Sequence, residues 1–115
     1  MLVLSLTHGR TEQASGLSLS GNSSLDPVSN KLMFDIRLRG VEEAEVLGVV
    51  LRFPHEDGGW QVADLVMRAG QVSARRVVSM TSRHREALEA GEMHLLVLTR
   101  ADPKGAIEVH LDPTR

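Results

Sequence analysis

The chain contains no cysteine, which excludes disulfides, thiolate metal sites and a cysteine nucleophile. Tyrosine is also absent, and aromatic residues amount to only 3%, namely Trp60, Phe34 and Phe53. A core built from this composition must be aliphatic. So few rings also leave no stacking platform for the bases of a single-stranded nucleic acid. The formal net charge is -2, which gives no general attraction to nucleic acid or to an anionic membrane. No run approaches the roughly 20 apolar residues of a transmembrane helix. The opening MLVLSLTHGR has no basic segment and only a short apolar run, so it does not read as a signal peptide. On that reading a complete chain would be soluble and cytoplasmic, whereas an excerpt of a secreted precursor would be extracellular or periplasmic.

What the chain does have is alternation. At 115 residues and 42% hydrophobic, it is long enough for one domain with a two-layer core. The clearest stretch is GEMHLLVLTRADPKGAIEVHL, residues 91–111. There Met93, Leu95, Val97 and Thr99 share one face, and Ile107, Val109 and Leu111 share a face beyond a loop with Pro103 and Gly105. Period-two alternation interrupted by a Pro/Gly turn predicts a β-hairpin with one buried face.

Further strands are predicted over 2–7, over 17–20 and over 32–39, where Leu32, Phe34, Ile36 and Leu38 alternate with Met33, Asp35, Arg37 and Arg39. The apolar run 46–53 contains Gly48, which suggests a strand covered on both faces or bulged at the glycine. Strands over 60–67 and, less regularly, 71–80 follow. Residues 21–30 (GNSSLDPVSN) are dense in turn formers and read as a loop. The Asn22-Ser23-Ser24 sequon within them reads as a plain turn. TSRHREALEA, residues 81–90, is the one convincing helix, with Thr81 or Ser82 as its cap and Gly91 as its stop. The expected architecture is an all-β, antiparallel Greek-key β-sandwich, immunoglobulin-like or superoxide-dismutase-like, with one short α-helix near residues 81–90.

The order of these features resembles that of the CHRD domain, the chordin-type repeat. ALEAGEMHLLVLTRADPKGAIEVHL is similar to its helix, turn and closing hairpin. VEEAEVLGVVLRFPHEDGGWQVADL resembles its central strands, and GLSLSGNSSL with KLMFDIRLRG its early strand pair. Two features depart from the family pattern. Many bacterial members carry His-Ile-His where this chain reads Val50-Leu51-Arg52, and the family is mostly extracytoplasmic. The resemblance spans residues 1–115 as a single domain and implies a structural or binding role.

Three groups of residues bear on function. If Leu95 lies opposite Val109, His94 lies opposite His110 with Glu108 on the same face, a spacing that can hold a metal ion. The alternative is that all three are polar residues on a solvent-facing strand. Arg75, Arg76, Arg83, His84 and Arg85, with Arg68 nearby in sequence, form a basic stretch suited to an acidic glycan or acidic partner. Alternatively, they solvate a helix face and pair with Glu86 and Glu89. Glu42, Glu43 and Glu45 are the acidic counterpart, and the two clusters meeting between molecules would favour a homo-oligomer.

Nothing supports catalysis. There is no Gly-x-Ser-x-Gly elbow, and the carboxylates at Asp35, Glu56, Asp57 and Asp64 are not paired for acid–base work. The expectation is a non-catalytic module without cofactor that binds a protein partner or itself, with no affinity for nucleic acid or membrane. The alternatives are a metal site at His94 and His110 or a polyanion site at the arginines.

Overall fold

The computed structural model describes residues 2–8 and 16–113, excepting the side chains of residues 7 and 8. Its eight strands are β1 (Leu2–His8), β2 (Ser18–Asp26), β3 (Lys31–Arg39), β4 (Val46–Pro54), β5 (Trp60–Met67), β6 (Ser73–Ser79), β7 (His94–Thr99) and β8 (Ile107–Pro113). One helix, α1 (Ser82–Glu89), lies between β6 and β7. All described pairings are antiparallel, in the order β5-β4-β7-β8-β1-β2-β3-β6. The strands therefore form one continuous sheet, curled into a flattened, nearly closed barrel whose halves face each other as in a sandwich. The return of β6 to β3 and of β7 to β4 are Greek-key crossovers. No described helix is long and apolar enough to cross a membrane.

Alternation explains which residues fill the interior. Leu32, Phe34, Ile36 and Leu38 on β3 are buried, as are Leu95 and Val97 on β7 and Ile107, Val109 and Leu111 on β8. The same period sends His94, Glu108 and His110 to the outer face of the terminal hairpin. On β4 the predicted bulge is present: the register with β7 shifts between Val46 and Gly48, where Gly48 has φ 154°.

Residues 21–26 are strand and not loop, so the sequence expectation there is corrected. β2 pairs with β3 continuously from Ser18↔Arg39 to Asp26↔Lys31, and only 27–30 turn. Leu19, Ser23 and Leu25 are buried along it. Tertiary pairing with the strongly alternating β3 overrides the turn propensity of Gly21, Asn22, Ser23 and Ser24. The sequon consequently lies in mid-strand.

α1 begins as expected. Thr81 Oγ1 accepts the N–H of His84 at 3.1 Å, and Gly91, at φ 73°, follows its end. Leu88 is the helix's fully buried anchor. Thr81→Ala should lower stability by about 1 kcal/mol, the usual value of an N-cap, read as a shift of the urea midpoint at unchanged slope.

The barrel is open between β5 and β6, which are the two ends of the sheet. Arg76 shares the inward parity of Ala74 and Val78 on β6, yet it reaches across the opening to Asp64 on β5 at 3.2 Å. A charge placed at an open sheet edge discourages pairing with another chain. Asp64 Oδ1 also accepts the Leu65 N–H at 2.7 Å, so this carboxylate is satisfied by structural partners.

Candidate functional site

The terminal hairpin has the register on which the histidine pair depends: Leu95↔Val109 and His94↔His110. On the other side of β7, Arg52 of β4 stands opposite His94. Arg52, His94 and His110 thus line up across three adjacent strands on the outer face. Glu108, one outward position along β8 from His110, is the hub. Its Oε2 accepts a hydrogen bond from Arg52 Nη2 at 2.9 Å, and its Oε1 lies 3.1 Å from His110 Nε2 and 3.3 Å from His94 Nδ1.

Two neighbours make this more than a polar strand face. Trp60, the first residue of β5, places its ring centroid 4.9 Å from that of His94, and the guanidinium of Arg52 sits 4.1 Å from the Trp60 ring centre. The His94 and His110 rings are 4.1 Å apart between centroids. With Trp60 over it, the His94 side chain is only 10% exposed, against 30% for Glu108 and 36% for His110. His94 Nδ1 is buried near Glu108 but makes no hydrogen bond of good geometry, and Arg52 Nε is likewise buried without a partner.

Burial holds the His94 imidazole below the ordinary histidine range; the Glu108 carboxylate opposes that shift, while His110 and Arg52 reinforce it. A neutral imidazole with an open nitrogen lone pair is the form that binds metals. The spacing also fits. Donors each ~2.1 Å from a tetrahedral ion lie about 3.4 Å from one another, close to the two separations at Glu108 Oε1. One donor atom from each of His94, Glu108 and His110 lies within 4.8 Å of the others.

Arg52 and Trp60 were not among the sequence candidates. Arg52 is the last residue of the triplet that departs from the CHRD pattern, and its charge at the end of the apolar run of β4 was the available signal. Trp60 is the chain's sole tryptophan, but only the β4–β5 register places it beside His94.

The basic stretch is divided between two elements. Arg75 and Arg76 lie on β6, where they pair with Asp35 at 3.3 Å and Asp64 at 3.2 Å. Arg83, His84 and Arg85 lie on α1. There Arg83 approaches Glu56 at 3.4 Å, and Arg85 pairs with Glu89 at 3.0 Å while donating to the Pro27 carbonyl. His84 packs edge-on against Phe53 with centroids 5.0 Å apart, and its Nδ1 is buried without a partner. Strand and helix present their charges in different surroundings, so adjacency in sequence did not become adjacency in space.

Burial, and then the neighbouring Arg83, hold His84 below its ordinary value of 6.5. The sign of the linkage follows. Below about 6.5 the unfolded imidazole takes up a proton while the folded one resists, so the unfolded state binds more protons. The stability that neutral His84 contributes is complete above about 6.5 and is lost as pH falls through the lower folded value; His94 acts in the same direction. Urea midpoints should therefore fall from pH 7.5 towards pH 5, and His84→Gln should make that fall shallower.

Comparison with family models, curated proteins and solved structures finds no match to this chain.

Proposed function

We propose that this protein is a binding module whose ligand is a divalent transition-metal ion, held by His94, Glu108 and His110. The observation that carries this reading is the convergence of one donor atom from each residue to within 4.8 Å, together with a buried His94 Nδ1 that lies 3.3 Å from Glu108 Oε1 and makes no hydrogen bond of good geometry. Two imidazoles and one carboxylate suit zinc and its neighbours in the transition series more than calcium or magnesium, which take oxygen donors. Partial exposure of Glu108 and His110 leaves room for water or a ligand to complete the coordination sphere. A binding role is also what the resemblance to CHRD domains implies.

The test is calorimetric titration of zinc into metal-stripped protein. The reading expects one ion per chain. It also expects His110→Ala to weaken binding by more than the 10–100-fold typical of losing an outer-shell partner. Absence of heat and of retained metal would reject it. Arg52 sharpens the test. Its charge would sit ~6 Å from a bound dication, a repulsion of about 1.4 kcal/mol at the dielectric of water. Arg52→Gln should therefore tighten zinc binding by about tenfold.

A second reading, association with a protein partner or another copy, is favoured by exposed apolar side chains on β5. Trp60, Val62 and Leu65 are 47%, 59% and 43% exposed there, and exposed apolar surface of this kind marks interaction sites. Light scattering on the metal-free and zinc-loaded protein checks it: a monomer in both forms is the result against this reading.

A further inference from the structure

Away from the histidine cluster, outward residues of β2 and β3 and the β5 and β6 residues beside the barrel opening line a cleft of about 840 Å³ that reaches the turn after β5. Its charged lining comprises Arg37, Arg39, Arg68, Arg75 and Arg76 against a single carboxylate, Asp35. Such a concentration of one sign is notable in a chain of net charge -2, because it arises from placement and not from composition. Strand alternation explains part of it. Asp35, Arg37 and Arg39 share the outward parity of β3, and the β3–β6 register sets Arg75 directly opposite Asp35.

The ion pairs divide the five arginines into two groups. Arg75 is engaged by Asp35 at 3.3 Å and Arg76 by Asp64 at 3.2 Å. Arg37, Arg39 and Arg68 have no acidic side-chain partner among the described residues. Arg37 and Arg39 stand two residues apart on one strand, so their guanidinium stems rise ~7 Å from each other. Ser20, Asn22, Gln71 and Ser73 add neutral hydrogen-bonding groups around them.

We propose that this cleft binds an anionic polysaccharide, whose sulfate or carboxylate groups pair with Arg37, Arg39 and Arg68 as the chain lies across β3 and β6. Several features select this class. Guanidinium forks match such oxyanions in bidentate fashion. No aromatic side chain lines the cleft, so a single-stranded nucleic acid would find no stacking surface. A mostly polar lining likewise gives no apolar pocket for the body of a small drug-like ligand. The site is independent of the metal reading, since it shares no residue with His94, Glu108 and His110.

The experiment is calorimetric titration of a heparin-derived hexasaccharide into the full chain at about 50 and about 200 mM sodium chloride. Binding should weaken at least about threefold between the two, because ion pairing with a polyanion is salt-dependent. The Arg37→Ser/Arg39→Ser/Arg68→Ser variant should bind about tenfold or more weakly, with a shallower salt dependence. A thermal melt establishes that it is folded, as expected for outward side chains without acidic partners. Arg83→Ser/Arg85→Ser removes positive charge from α1 instead and should stay within about twofold of the unsubstituted protein. The proposal is overturned if the hexasaccharide does not bind at the lower salt, or if the helix variant loses as much as the cleft variant. It is also overturned if single-stranded DNA of similar charge binds as tightly through the same three arginines.

Discussion

Glu108→Gln is expected to abolish one-to-one zinc binding and also to lower the stability of the metal-free protein by about 1–2 kcal/mol. Both effects come from the same carboxylate. Its Oε1 lies between the two imidazoles, at 3.1 and 3.3 Å, and its Oε2 holds Arg52 at 2.9 Å. The Arg52 side chain is only 17% exposed, so losing the carboxylate leaves a largely buried cation held only by the Trp60 ring and a neutral acceptor. Glutamine can still accept one hydrogen bond from Arg52 but carries no charge for a dication. The metal and stability effects can be separated with Arg52→Gln, which disrupts the ion pair yet should strengthen zinc binding. Trp60 provides the readout, because the sole tryptophan of the chain lies 4.9 Å from His94 between ring centroids. Its fluorescence should change with zinc in the unsubstituted protein and stay constant in Glu108→Gln.

A large stability effect is expected at Gly21. This residue lies inside β2 at φ 133°, and a Cβ added there would stand 2.1 Å from the carbonyl oxygen of Asp35. The obstruction is backbone of the paired strand, so it cannot be relieved by rotating a side chain. Alanine must either push β2 away from β3 or leave the left-handed conformation, and both break the ladder that runs from Ser18 to Asp26. A loss of about 4 kcal/mol or more is expected, a large share of the 5–15 kcal/mol typical of a domain. Urea denaturation of Gly21→Ala beside Gly16→Ala is the informative pair. Gly16 also has positive φ, but a Cβ there would have open space, so its variant reports a positive-φ cost without a backbone clash, and the larger loss is expected at Gly21.

The fate of Gly21 also shows what was legible in the sequence. The terminal hairpin was legible in outline, since both strands alternate cleanly around a Pro/Gly loop, and the structure supplies the register that the alternation left as a condition. That register alone brought His94 opposite His110 with Glu108 beside them. The stretch 21–26 was misread because its composition is that of a turn, and pairing with β3 is a tertiary fact that local propensity does not contain. Arg52 and Trp60 escaped for a related reason. The β4–β5 register shifts between Val49 and Val50 and again between Leu51 and Arg52, so counting alternate residues does not lead from the tryptophan to the histidine. The division of the basic stretch was not legible either: Arg75 and Arg76 belong to a strand and Arg83 and Arg85 to a helix, and the intervening turn separates them. The arginines that gather with Arg75 and Arg76 are Arg68, close by in the β5–β6 turn, and Arg37 and Arg39 of β3, which are far from them along the chain and are brought in by the β3–β6 pairing.

The central claim is that His94, Glu108 and His110 act together on one ion. It is tested most directly by following the ring nitrogens of both histidines by ¹H–¹⁵N NMR while zinc is added to metal-free protein. The account predicts that the His94 and His110 signals shift together and stop changing at one equivalent, with the His55 and His84 signals unmoved. If the His94 and His110 nitrogens remain unchanged past one equivalent, or if only exposed His55 responds, the cluster is an ion-paired surface network and the account is wrong.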